Sequence, residues 1–432
     1  FTPATFVANL ARTAGMFFFN GDLDPRDNLP GRAALDALLA IFFSVGIVIS
    51  IVRFRKPFYA FLLIWLAVMS LPSALTEFAP NFRRDFRRAI GALPATILLC
   101  AVGVEWVCLK IRHLDFKNQK ARYAAYLLVA LALVTSAFWS ARAYFVEWAN
   151  NPGLYYSFDA GLLQLAKLLA ARPRDEAIYF SPSYRDHYTV IWAFDGRPVS
   201  SFDGRNLLLL ADSSRAATYG IITHEDTQTA GRLGNFYAGS ELPTVLLDAA
   251  GNSYATILTF PANTRNPIQP SRSLAVKVGD FATLAGFEVE PNHFARGDTV
   301  RVRLYWNVAQ GAAEARGDTV RVRLYWNGAQ GAAEDYTAFV HLVGPHNPAT
   351  NSSVWAQADK QPGDGTYPTT RWRRGETIIE DYVFKLPPEA AAGEYKIETG
   401  MYLLETGARV PLTENDARLT DDTVILKQFV LP

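Results

Sequence analysis

The stretches Leu38–Val52 (LLAIFFSVGIVISIV) and Tyr126–Trp139 (YLLVALALVTSAFW) decide how the first third of the chain folds. A helix in a soluble bundle needs a polar face at 3.6-residue spacing, and neither stretch has one. A hydrocarbon core of about 30 Å takes roughly 20 helical residues. Four segments meet that length: Ala33–Val52, Pro57–Leu75, Ala89–Leu109 and Ala124–Phe145, which predict four transmembrane helices within 33–145. Asp36, Glu105 and Arg142 fall toward the ends of these spans and are expected to be boundary residues.

Outward from the spans the chain changes character. It has 432 residues, half of them hydrophobic, and a formal net charge of +1, which gives no electrostatic sign of nucleic-acid binding. Residues 1–32 read as an outer juxtamembrane segment. Phe1 stands where a start methionine would, and the first methionine is Met16, so upstream sequence is expected. Cys100 and Cys108 are the only cysteines, and both lie inside one apolar run, which excludes a disulfide framework or thiolate metal site. The six histidines show no ligand spacing and no nucleophile motif. No metal, cofactor or catalytic residue is assigned.

Lys and Arg counts barely orient the spans. Arg53, Arg55, Lys56, Lys110, Arg112, Lys117, Lys120 and Arg122 flank one side; Arg12, Arg26, Arg32, Arg83, Arg84, Arg87 and Arg88 flank the other. The second set is purely arginine, the residue suited to gripping phosphate with a planar fork. The lysine side is therefore expected in the cytoplasm, and the C-terminal region outside it.

After Phe145, LLQLAKLLAAR (Leu162–Arg172) has helical spacing, and EAIYFS, YTVIWAF and TYGIITHE read as short buried strands. Residues 146–262 are thus expected to form a small α/β domain. The pairs Asp186 with His187 and Asp203 with Arg205 read as satisfied loop residues. From Ser271, alternating strands between Gly-, Pro- and Asn-rich turns predict an antiparallel β-sandwich over 271–432. Within it Ala295–Glu314 is repeated at once as Ala315–Glu334, with Val308 replaced by Gly328. In TVRVRLYW, Val300, Val302, Leu304 and Trp306 face one way and Arg301, Arg303 and Tyr305 the other. A sandwich has room for one such strand in that slot, so one copy is expected in the native position and the other at an edge or looped out. Trp355, Tyr367 and Trp372 are candidates for stacking on sugar rings; the competing expectation is that they cover the sandwich core.

GDLDPRDNLPGR (Gly21–Arg32), the turn at Arg55–Pro57 and FAPNFRRDFRRAIGALPA (Phe78–Ala95) resemble the C-terminal membrane half of bacterial glycosyltransferase family 39, polytopic GT-C enzymes related to protein O-mannosyltransferases and the lipid A aminoarabinose transferase. The resemblance covers residues 1 to about 145. It implies transfer of a sugar from a polyprenyl-phosphate carrier to a glycan or protein acceptor, at the outer face of a bacterial cell membrane crossed several times. It also implies that the catalytic acid lies upstream, so the chain alone is expected to be inactive. Asp22, Asp24, Asp27 and Asp85 are read as turn and cap residues. Arg83, Arg84, Arg87 and Arg88 are the candidate donor-phosphate ligands, sharing a face at a spacing of four if the third span begins early. The alternative function is a non-catalytic, membrane-anchored surface module whose sandwich binds glycan or protein. A transporter half is disfavoured by the lack of broken helices and midspan polar groups.

Overall fold

The computed structural model describes residues 2–76, 86–114, 119–237, 241–291, 293–308 and 332–432. The chain divides into two compact units, 1–160 and 161–432.

The first unit is helical. Helix α1 (Pro3–Gly15) opens with Thr2 as its cap and Pro3 in its first turn, where a missing N–H costs nothing. Asn9 on its buried face donates to the Thr76 carbonyl at 2.9 Å. Helix α2 (Ala37–Val52) starts at Asp36, whose carboxylate accepts from the backbone of Leu38 and Leu39. Helices α3 (Pro57–Ala74) and α4 (Leu93–His113) follow, and α5 (Gln119–Arg142) runs on into a π-helical stretch, Ala143–Trp148. A one-turn helix, α6 (Gly153–Ser157), ends the unit.

Among the described residues three helical stretches, Pro57–Ala74, Ile90–His113 and Gln119–Trp148, are long and apolar enough to cross a membrane. The first expected span is shorter than predicted. Asp36 caps α2 and leaves it 16 residues, about 24 Å at 1.5 Å per residue. Glu105 also departs from the expectation of a boundary residue, because α4 continues to His113 and leaves it two turns inside the helix end.

Helices α2 and α4 meet through glycine. A Cβ on Gly46 would lie 1.8 Å from the Leu99 carbonyl oxygen, and one on Gly103 would lie 2.0 Å from that of Phe42. Each helix thus receives the other's backbone where it has no side chain, the close approach that small residues permit between apolar helices.

Among the described residues the second unit has three sheets. Parallel strands β1 (Ala177–Ser181), β2 (Ser200–Ser201) and β4 (Ala217–Ile222) join antiparallel β6 (Ser253–Phe260) and β5 (Thr244–Leu247) in the order β2-β1-β4-β6-β5. Helices α7 (Ala160–Ala170), α8 (Tyr188–Phe194) and α9 (Thr229–Gly234) accompany this sheet. The YTVIWAF segment is therefore helix α8 and not a strand. His187 Nδ1 accepts the Thr189 N–H at its start, Asp195 ends it in the left-handed region, and Val190 and Phe194, four apart, are the buried pair. Local capping overrides an apolar run too short to carry a period.

The remaining strands are β7 (Arg272–Val278), β8 (Ala282–Glu290), β9 (Thr299–Val308), β10 (Tyr336–Asn347), β11 (Ser352–Lys360), β12 (Thr377–Lys385), β13 (Gly393–Leu403), β14 (Leu412–Glu414), β15 (Ala417–Arg418) and β16 (Val424–Leu431). They form antiparallel sheets in the orders β11-β10-β13-β16 and β15-β14-β7-β8-β9-β12-β3. The last member, β3 (Leu207–Leu210), comes from the middle of the α/β segment and pairs antiparallel with Thr377–Glu380 of β12. All four leucines are buried, as expected of a strand covered on both faces. The mixed sheet and the two antiparallel sheets consequently share one hydrophobic core, running from Tyr179 and Tyr219 to Trp306, Trp372 and Ile397.

The first copy of the repeat supplies β9, between β8 and β12. Val300, Val302, Leu304 and Trp306 point into the core. On the opposite face Arg303 pairs bidentately with Asp381 at 2.6 and 2.9 Å, and Tyr305 donates to Glu288 at 2.8 Å. The second copy, apart from Ala332–Glu334, lies outside the described residues.

Candidate functional site

The segment Gly21–Arg32 folds into a closed loop because its ends bond each other. Gly21 N–H donates to the Gly31 carbonyl at 3.1 Å, and Gly31 N–H to that of Asp22 at 2.7 Å. Gly21 is required there, since a Cβ would lie 1.8 Å from the Arg32 carbonyl oxygen. Asp22 is buried and accepts from Asp24 N–H and Phe86 N–H, both at 2.9 Å. Asp24 accepts from Arg26 N–H at 2.9 Å. These are turn bonds of the kind Asp side chains form two residues ahead, and they leave Asp22 fixed as a structural acceptor. Asp85 lies outside the described residues.

The loop gathers the ends of several helices. Arg87 pairs with Asp27 at 2.9 Å and Asp24 at 3.4 Å. Trp148 Nε1 donates to the Pro25 carbonyl at 2.8 Å, Arg26 to the Ser157 carbonyl, and Arg32 to the Ser140 hydroxyl at 3.3 Å. Segments before α2, before α4 and after α5 therefore converge on one end of the unit.

Of the four candidate phosphate ligands, Arg87 and Arg88 are described and exposed, and Arg83 and Arg84 lie outside the described residues. Arg87 and Arg88 are not on a helical face. Residues 86–89 form turns, a 3-10 turn covers Ile90–Ala92, and α4 begins only at Leu93, with Pro94 in its first turn. Proline suits that position, where its missing N–H costs nothing.

The three candidate stacking residues are in the core. Tyr367 is 0% exposed, Trp372 1% and Trp355 9%. Trp372 Nε1 donates to the Tyr367 carbonyl at 3.1 Å, and its ring lies 6.1 Å from Phe281 and 6.4 Å from Trp306. Trp355 donates to the Pro345 carbonyl at 2.7 Å. Satisfied polar tips and buried rings are core anchors, and none of the three offers a face to a sugar.

Sequence reading missed two buried carboxyl groups on β12 and the turn before it. Glu376 accepts from Tyr367 OH at 2.6 Å, Tyr179 OH at 3.0 Å and Arg373 N–H at 2.9 Å. Glu380 accepts from Gly363 N–H and Tyr382 OH, both at 2.9 Å, and from Lys360 Nζ at 3.1 Å. Burial pushes both pKa values up; Arg373 and the two tyrosine hydroxyls oppose this at Glu376, and Lys360 and Gly363 N–H at Glu380. Only the alternation of β12 could have flagged Glu380, whose even-numbered neighbours Ile378 and Tyr382 are apolar and inward.

Asp226 is also buried, taking the hydroxyls of Ser181 and Thr229 and the backbone of Gln228 and Thr229 at the start of α9. Asp203 and Arg205 form the expected loop pair, with contacts of 2.6 and 2.8 Å. Among the described residues no group of three or more His, Cys, Asp or Glu side chains is placed to hold a metal ion. No protein-family model matches this chain, and no curated protein matches it.

Proposed function

We propose that this chain belongs to a membrane glycosyltransferase that moves a sugar from a polyprenyl-phosphate donor to an acceptor outside the cytoplasm, and that the end of the helical unit carrying Arg87 and Arg88 receives the donor phosphate. One observation carries the reading. The segments before α2, before α4 and after α5, which a four-pass topology would leave on one side, are those that Asp22, Asp24, Pro25 and Arg87 tie together. They bring arginines to the mouth of an apolar helical unit, where a lipid-linked phosphate would lie. A phosphate would share Arg87 with Asp24 and Asp27. The aspartates of the loop are occupied by backbone N–H groups and Arg87, so they supply no general base here.

Replacing Arg83, Arg84, Arg87 and Arg88 together by Gln in the full chain is expected to weaken binding of a polyprenyl-phosphate sugar at least tenfold, about 1.4 kcal/mol. Equilibrium binding in detergent micelles reads it. Unchanged affinity would return these arginines to contact with anionic headgroups and remove the support for the transferase reading.

A further inference from the structure

The second unit contains a cavity of about 640 Å³ that no sequence motif announces. Its apolar lining is half-buried Ala170, Ala177 and Ala193, with Ile178 of β1 and Phe194 of α8 almost wholly covered by protein. Its wall carries five guanidinium groups: Arg174, Arg197, Arg215, Arg373 and Arg374. Two of them are delivered by one turn. Glu376 N–H donates to the Arg373 carbonyl at 3.1 Å, and Gly375 takes φ +79°, the arrangement of a type II turn in which glycine is favoured at the third position.

The balance of charge in the cavity is positive. Arg197 and Arg215 donate to uncharged carbonyls, Arg197 to Ala170 at 2.9 Å and Arg215 to Asp175 at 2.7 Å; Arg373 donates to the Val199 carbonyl at 3.1 Å and also lies near Glu376. Arg174 and Arg374 are exposed and make no hydrogen bond or ion pair with the described residues. Of the acids on the wall, Glu176 is held bidentately by Arg172 at 2.8 and 2.9 Å. Glu376 is buried and takes the hydroxyls of Tyr179 and Tyr367. Asp195, Asp212 and Glu376 stand against the five cations.

We propose that this cavity binds a small soluble phosphate ester, its phosphoryl group gripped by Arg174, Arg373 and Arg374 and its body lying on Ala170, Ala177 and Ala193. Several guanidinium forks around one apolar lining match a dianion attached to a ring. The volume falls within the roughly 300–1,000 Å³ usual for small-molecule sites. Every residue involved belongs to the second unit, so the assignment is independent of the membrane reading.

Calorimetric titration of the full chain in detergent with glucose 1-phosphate, using glucose as the uncharged control, tests it. The wild-type chain is expected to bind the phosphate at least tenfold more tightly than glucose, and the double variant Arg174→Gln/Arg374→Gln to lose at least tenfold. Arg374→Lys, which keeps the charge and loses the fork, is expected to fall between them. An unchanged unfolding midpoint in the variants separates loss of the site from loss of the fold. Equal affinity for glucose and its phosphate, or a folded double variant that binds as tightly as the wild type, overturns the assignment.

Discussion

Leucine occupies opposite settings in the two units. On α5, Leu127, Leu128 and Leu131 are 68%, 67% and 57% exposed, and Ser136 is the helix's only fully buried residue. On β3, Leu207 to Leu210 are all buried. A water-soluble unit leaves no such apolar belt on its surface, so the difference lies in the surroundings each unit is built for. In the helical unit the fold is specified where side chains are absent, at Gly46 and Gly103. In the second unit it is specified where apolar side chains are enclosed.

Four measurements break or sharpen this contrast. The largest effect is expected from Gly103→Ala, or Gly46→Ala, because the added methyl meets a backbone carbonyl that cannot rotate away. A loss at or above about 3 kcal/mol is expected, the upper end for overpacking, read as loss of monodisperse folded protein in detergent. A well-folded alanine variant would show that the two helices do not depend on this contact. Leu209→Ala should cost about 3 kcal/mol, the middle of the range for emptying a leucine site. Chemical denaturation followed by the fluorescence of buried Trp306 and Trp372 measures it. The matching change on α5, Leu128→Ala, is expected to shift stability by less than about 0.5 kcal/mol in detergent. A large loss there would mean that α5 is covered by protein.

The third test concerns pH. Glu376 has its folded pKa raised, so the native state holds its proton more tightly than the unfolded chain does. Its contribution is full below the unfolded value of 4.5 and is lost as pH rises through the folded value. The unfolding midpoint of the second unit should therefore fall as pH rises across that window. Glu376→Gln, which mimics the neutral acid, should flatten that fall, and an unaltered slope would assign it to other groups. A comparably small effect is expected from Arg87→Gln. Its ion pairs with Asp24 and Asp27 are 58% exposed on the arginine side, and such pairs are worth below about 1 kcal/mol.

What the sequence made legible follows from range. The alternation of TVRVRLYW appears unchanged in β9 because one buried face is enough to fix it. The helical spacing of LLQLAKLLAAR appears in α7, with Leu162, Leu165, Ala166 and Leu169 buried. The apolar spans were readable by length, yet Asp36 shortened the first by capping it. Three features were not legible. The YTVIWAF run has no period that separates helix from strand, and its caps decided. LLLL at 207–210 shows that it is buried but not which sheet takes it, because its partner β12 lies about 170 residues later in the chain. The arginine cavity is assembled from four separate segments, none of which carries a spacing of its own.

The pairing of β3 with β12 also limits how this protein could have been put together or taken apart. Residues 146–262 and 271–432 look in sequence like two modules in tandem, yet a crossover placed between them would carry β3 away from the sheet it completes. Recombination at that point would leave one descendant with an unmatched row of backbone groups at a sheet edge and the other with four leucines facing water. The same holds for a protease. A single cut between Phe260 and Arg272 would sever the chain without freeing either piece, and both fragments should travel together until the protein is unfolded.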